Sequence, residues 1–164
     1  MLSEEHKKIL KVIDALLNEC DSLKNGKEIN KAFFIGAVDF IKNFADKFHH
    51  AKEEDILFKE FNKCANRGGV HCNPIEQMIN EHNEGRNYVK KMEESLNKND
   101  KERVVENARG YAQLLRDHIF KEDNILYPMV DQISGNREKD IILNKFEEIN
   151  KNLEQEIKKH LFIF

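Results

Sequence analysis

The sequence predicts an all-α protein, an up-down-up-down four-helix bundle with an additional C-terminal helix. Three observations carry that expectation. Apolar residues recur at three- and four-residue steps along most of the 164-residue chain, the period of an amphipathic helix. Only two prolines and seven glycines occur, too few to punctuate many short strands. The turn signals that do occur separate long stretches by short connections, the pattern of antiparallel helical neighbours. The length suits one domain, with the bundle over about 3–128 and the last helix over about 137–162.

The first helix is expected from about Ser3 to Lys24. Ser3 is a candidate N-cap, and Glu4 and Glu5 suit the positive first turn. Ile9, Ile13, Leu16, Cys20 and Leu23 form its apolar face, and Asn25-Gly26 ends it. The second is expected from about Lys27 to Cys64. Phe34, Val38, Ile41, Ala45, His49, Glu53 and Ile56 fall on one line, so two polar residues continue an apolar stripe. Arg67-Gly68-Gly69 is a loop. The third helix has the clearest start, with Asn73 as cap, Pro74 in the first position and Glu76 completing a capping box. Its inner line is Ile75, Met78, His82, Gly85, Val89, Met92 and Leu96. After a turn at Asn97 to Asp100, the fourth carries Val104, Ala108, Tyr111, Leu115, His118, Glu122 and Ile125. Pro128 and then Ser134-Gly135-Asn136 are expected to break the chain. The fifth aligns Ile142, Phe146, Ile149, Leu153 and Ile157, a face for packing on the bundle or for a homo-oligomer contact.

Composition narrows the function. Hydrophobic residues make up 40% and charged residues 35%, with a formal net charge of −3. No basic excess exists to neutralise phosphates, so nucleic acid is not an expected partner. The longest apolar stretch, Ala32 to Val38, is far below the about 20 residues that span a bilayer, so no membrane partner is expected either. The start, MLSEEHKKIL, lacks the apolar core of a signal peptide. Three cysteines, Cys20, Cys64 and Cys72, show no zinc-site spacing. A reduced, cytoplasmic protein is the expectation.

Chemistry enters through an internal repeat. His49-His50-Ala51-Lys52-Glu53-Glu54-Asp55-Ile56-Leu57-Phe58 aligns with His118-Ile119-Phe120-Lys121-Glu122-Asp123-Asn124-Ile125-Leu126-Tyr127. Histidine, lysine, glutamate, isoleucine and leucine coincide, and Glu54/Asp123, Asp55/Asn124 and Phe58/Tyr127 nearly so. The preceding helices hold Glu5-His6 and Glu81-His82. Residues i and i+4 share a helix face, so each His-x-x-x-Glu can reach one ion together. Two such helices and two single histidines supply four imidazoles and two carboxylates, a set that suits two carboxylate-bridged iron ions inside a bundle. At about 1.5 Å per residue, His6 and His49 stand about 27 and 32 Å from the first turn, and His82 and His118 about 22 and 26 Å from the second. The competing reading is a set of buried His–Glu ion pairs, since buried carboxylates are costly unless paired or metal-bound.

Glu5-His6, FADKFHHAKEEDILF, EHNEGR and DHIFKEDNILYP together resemble the hemerythrin-like family of HHE cation-binding domains, over the first four helices. The resemblance implies a non-haem di-iron centre with ligands His6, His49, Glu53, His82, His118 and Glu122, the two glutamates bridging. It implies a protein that binds or reacts with oxygen, peroxide or nitric oxide. The alternative is an iron-handling, iron-centre-repair or sensing protein without turnover, and a third reading is a metal-free interaction bundle using the fifth helix. The oxygen carriers of the family have a fifth histidine, on the third helix; here Arg86 and Met78 flank His82 at four residues, and no histidine does. A position is thereby left for a small ligand or a substitute side chain. The carriers end in an aspartate five residues after the histidine, so Asp123 competes with Glu122.

His50, about 100° around an α-helix from His49, is expected at the surface or behind the ligands. His71 is expected in an exposed loop, and His160 on the fifth helix, away from the site. Tyr111 is expected in the core. Cys64 and Cys72 flank the loop, as a redox pair or as two unrelated thiols.

Overall fold

A computed structural model describes residues 1–67 and 73–161, without the side chains of 154–161. All regular structure among the described residues is helical. We number five helices. α1 is Leu2–Lys24 and α3 is Ile75–Asn97. α2 is a continuous rod over 31–65, and α4 another over 101–133. Each of these two rods contains π-helix: Ile41–His50 and Glu53–Leu57 in α2, Glu122–Leu126 in α4. α5 is Asn136–Leu161. α1 packs on α2 and α4, α3 on α2 and α4, and α5 lies along α2 on the outside. This is the expected bundle with an added C-terminal helix. No helix among the described residues is long and apolar enough to cross a membrane.

The caps explain the boundaries. Met1 precedes α1, so Ser3 falls inside the helix, and its hydroxyl donates instead to Asp123 Oδ1 at 2.6 Å. Gly26 takes the positive φ of +94° that ends α1, a conformation open to residues without a Cβ. Asn30, not Lys27, starts α2, accepting from Phe33 N at 3.1 Å. Pro74, not Asn73, is the N-cap of α3, and Asn73 lies one residue before it, accepting from Ile75 N at 3.0 Å. Asp100 caps α4 through Arg103 N.

The inner lines of α1, α2 and α3 are buried as expected. The α4 line departs at its end. Ile125 is 49% exposed, while Leu126 is 1% exposed. The π-turn at Glu122–Leu126 causes this, because i→i+5 bonding winds the chain less per residue and brings the next side chain inward. It also lets α4 run through Pro128 to Ile133 rather than break there. A wider turn relieves the clash between the proline ring and the preceding carbonyls.

α5 spends much of its apolar face inside the chain. Ile142 and Phe146 are buried against Leu57, Phe61 and Val130, and Ile149 packs there too. Each such side chain is worth about 1.5–3 kcal/mol of burial. His71 and Cys72 lie outside the described residues, as do the side chains of Ile157 and His160. Cys20 and Cys64 are buried free thiols, and burial pushes Cys20 up to about 11.

Candidate metal centre

Four helices deliver one polar side chain set to the bundle interior. His6 comes from α1, His49 and Glu53 from α2, His82 from α3, His118 and Glu122 from α4. All six are at most 2% exposed. Their Nδ1 atoms each meet a carboxylate: His6 with Asp123 at 3.1 Å, His49 with Glu5 at 2.9 Å, His82 with Glu54 at 2.7 Å and His118 with Glu81 at 2.8 Å. An ionised carboxylate only accepts, so Nδ1 carries the proton and the Nε2 lone pair faces the interior. Metal-binding histidines are oriented in this way.

The Nε2 atoms then meet in pairs. His6 and His49 are 2.9 Å apart, and so are His82 and His118. With all four imidazoles neutral, two lone pairs at that distance repel. Two nitrogen ligands at right angles, each about 2.1 Å from one ion, stand about 3.0 Å apart. Between the pairs lie Glu53 and Glu122. Glu53 Oε2 is buried without a hydrogen-bond partner, and the oxygens of Glu122 meet only imidazole Nε2 atoms, 3.0 Å away on His118 and 3.3 Å on His6, a cost of several kcal/mol for an ionised group left unpaired. Two four-residue sets of ligand atoms cluster, each within 4.8 Å: His6, His49, Glu53 and Glu122 in one, His50, Glu53, His82 and His118 in the other. Glu53 belongs to both. The donor set fits two cations sharing a carboxylate.

Protons balance the charges in the metal-free chain. Burial opposes a charge on His118, but Glu122, with Oε1 3.0 Å from Nε2, and Glu81 outweigh it and hold the imidazole up at about 9. Burial and the charge of Glu122 hold Glu53 well above the usual carboxylate range. Burial drives His49 down instead, against Glu5. The ion-pair reading therefore describes one pair, His118 with Glu122, and leaves the rest of the cluster unexplained.

Asp123 is 32% exposed and stays outside, behind His6, whereas Glu122 is fully buried between the imidazoles. The two glutamates behind His49 and His118 are held by lysines: Lys52 Nζ donates to Glu5 and Lys121 Nζ to Glu81. Lys52 is 0% exposed and sits 3.6 Å from the centroid of the Phe48 ring, a buried cation–π contact. The repeat contained both lysines, and with them the Lys–Glu–His chains that sequence reading left unassigned. Tyr127 Oη donates to Glu53 Oε1 at 2.6 Å and lies 3.3 Å from His6 Nε2. Its counterpart Phe58 stacks near His82.

His50 is not at the surface, the first of its two expected places. It is 6% exposed and faces inward beside His49. The π-helix Ile41–His50 is the reason, since its lower twist turns consecutive side chains toward one side. A cavity of about 280 Å³ lies against this side, lined in part by His50, His82, His118, Gly85 and Tyr111. Tyr111 is in the core as expected, its hydroxyl buried without a partner.

The family model described as Hemerythrin HHE cation binding domain matches residues 1–130. No curated protein and no solved structure matches the chain.

Proposed function

Since the chain belongs to the Hemerythrin HHE cation-binding domain family, we propose that its interior holds two iron ions and that the protein binds or reacts with oxygen, peroxide or nitric oxide. The ligands are His6, His49, Glu53, His82, His118 and Glu122, with the two glutamates bridging. The supporting observation is the buried pair Glu53 and Glu122, whose oxygens lie among four Nε2 atoms. Bound there, iron supplies one-electron chemistry toward small oxidants.

The chain's own residues do the rest. Glu5, Glu54, Glu81 and Asp123 fix each imidazole in the tautomer that presents Nε2 inward. Lys52 and Lys121 hold two of those carboxylates in place. Burial excludes bulk water from the cluster and admits only small ligands. The Tyr127 hydroxyl holds a proton beside Glu53 and His6, within reach of a ligand on that side.

The test uses anaerobic, ferrous-loaded protein mixed separately with oxygen, peroxide and nitric oxide. Rapid spectral change with the iron retained is expected. Inertness toward all three, with iron passing readily to an apo-acceptor, overturns this reading in favour of iron handling.

A further inference from the structure

We propose that His50 is a fifth imidazole ligand: its Nε2 joins His82, His118 and Glu53 around one ion, leaving the other ion with His6 and His49 as its only imidazoles. This rests on the two-ion reading above. His50, Glu53, His82 and His118 bring one ligand atom each within 4.8 Å of all the others, and all four are buried. His50 also has a longer form of the support that the other four imidazoles have. Its Nδ1 lies 3.4 Å from Asp46 Oδ1, so it too is backed by a carboxylate and turns Nε2 inward.

Asp46 is itself fixed. Arg86 donates to its Oδ1 from Nε at 2.9 Å and from Nη2 at 2.7 Å, and Nη2 also reaches Glu54, the carboxylate behind His82. One guanidinium thus ties together the carboxylates behind His50 and His82. The internal repeat shows that this is a built feature of one side of the cluster. The repeat counterparts of His50, Asp46 and Arg86 are Ile119, Leu115 and Leu10. Imidazole, carboxylate and guanidinium are present together on one side and replaced together by apolar residues on the other. A side chain that only filled space would need none of the three. The longer π-helical stretch of α2 is the backbone counterpart, since it lets His49 and His50 face two different ions.

His50 also stacks face to face on His82, with ring centroids 3.8 Å apart and planes 13° apart, so its Nε2 reaches the ion of His82 only when the ring turns out of the stack, and a purely stacking role makes a distinct prediction. The experiment compares full-length wild type, His50→Phe and His50→Ala after ferrous loading, by chelator competition and Mössbauer spectroscopy, with circular dichroism to check helical content. Wild type should hold two inequivalent irons. His50→Phe keeps an aromatic plane against His82 but has no donor. It should weaken one iron and spare the other, by at least about tenfold. His50→Ala should behave alike, and added imidazole, entering by the cavity of about 280 Å³ beside it, should restore the lost spectrum. Should the phenylalanine variant not fold, Asp46→Asn should weaken the same iron by about 10–100-fold, and no change would overturn the assignment. Wild-type affinity and spectrum in His50→Phe would overturn it while leaving the two-ion reading intact. Absence of iron from the wild type would overturn both.

Discussion

The α1–α2 pair and the α3–α4 pair are near copies that differ where the chemistry is decided. Both carry a Lys–Glu–His chain, Lys52–Glu5–His49 and Lys121–Glu81–His118. In both, a carboxylate one residue past the inner glutamate crosses to the other pair, Glu54 to His82 and Asp123 to His6. The differences lie on either side of the glutamates. The His82–His118 side has His50, Asp46, Arg86 and Phe58; the His6–His49 side has Ile119, Leu115, Leu10 and the Tyr127 hydroxyl. The cluster also places its proton unevenly, because Glu122 approaches His118 to 3.0 Å while Glu53 stays 3.7 Å from His49. A duplicated scaffold fixes the cluster, and a few unmatched side chains make its two ends different.

The largest effect should separate neighbours within one half. Glu122→Ala should lose most bound iron, whereas Asp123→Ala should keep both ions with affinity lowered by about 10–100-fold. Iron per chain after desalting decides it, and the reverse result would give Asp123 the inner role. Next, the lysines should differ although their partners match. Lys52→Met breaks a fully buried pair and should cost about 3 kcal/mol. Lys121→Met breaks one at a 26%-exposed lysine and should cost under about 1 kcal/mol. Urea unfolding of the metal-free forms compares them, and equal losses would remove the distinction.

Between about pH 6.5 and 9 a pH effect should come from His118, with Glu53, also held above its ordinary range, acting in the same direction. The folded pKa of His118, about 9, lies above the ordinary 6.5, so the folded state holds the proton more tightly. The resulting stability is fully present below about pH 6.5 and is lost as pH rises through about 9. Melting of metal-free protein should fall across that window, and His118→Gln should flatten the fall. A wild-type curve flat from pH 6.5 to 9 would deny the His118–Glu122 pair. The smallest effect should be Tyr127→Phe, which makes the two sides alike at this position. Losing the hydrogen bond to Glu53 should cost about 1 kcal/mol in thermal unfolding. A loss several times larger would mean that the phenol holds the cluster together.

Most of the bundle was legible in the sequence, because the inner lines of α1 and α3 follow the α-helical period closely and the α2 line stays buried through its π-helical stretches. The six polar residues on those lines and on α4 converge as their spacing suggested. Three of the misreadings share one cause. Ile125, Pro128 and His50 all lie in or beside π-helix, where a fixed 100° step assigns the wrong face. The repeat held the Lys52 and Lys121 signal, but their partners, Glu5 and Glu81, sit on other helices, and pairing across helices is not visible as spacing along one of them. Asp123 and Glu122 could not be ranked from the sequence, because both fall near the inner side and only the local backbone decides which one enters.

Metal content tests the central claim most directly. Protein expressed with ample iron and purified anaerobically should carry about two irons per chain, and the wild-type Mössbauer spectrum should resolve two environments. Essentially no metal, with the helical fold intact, would contradict the di-iron centre and leave the buried carboxylates Glu53 and Glu122 to be explained by protons alone.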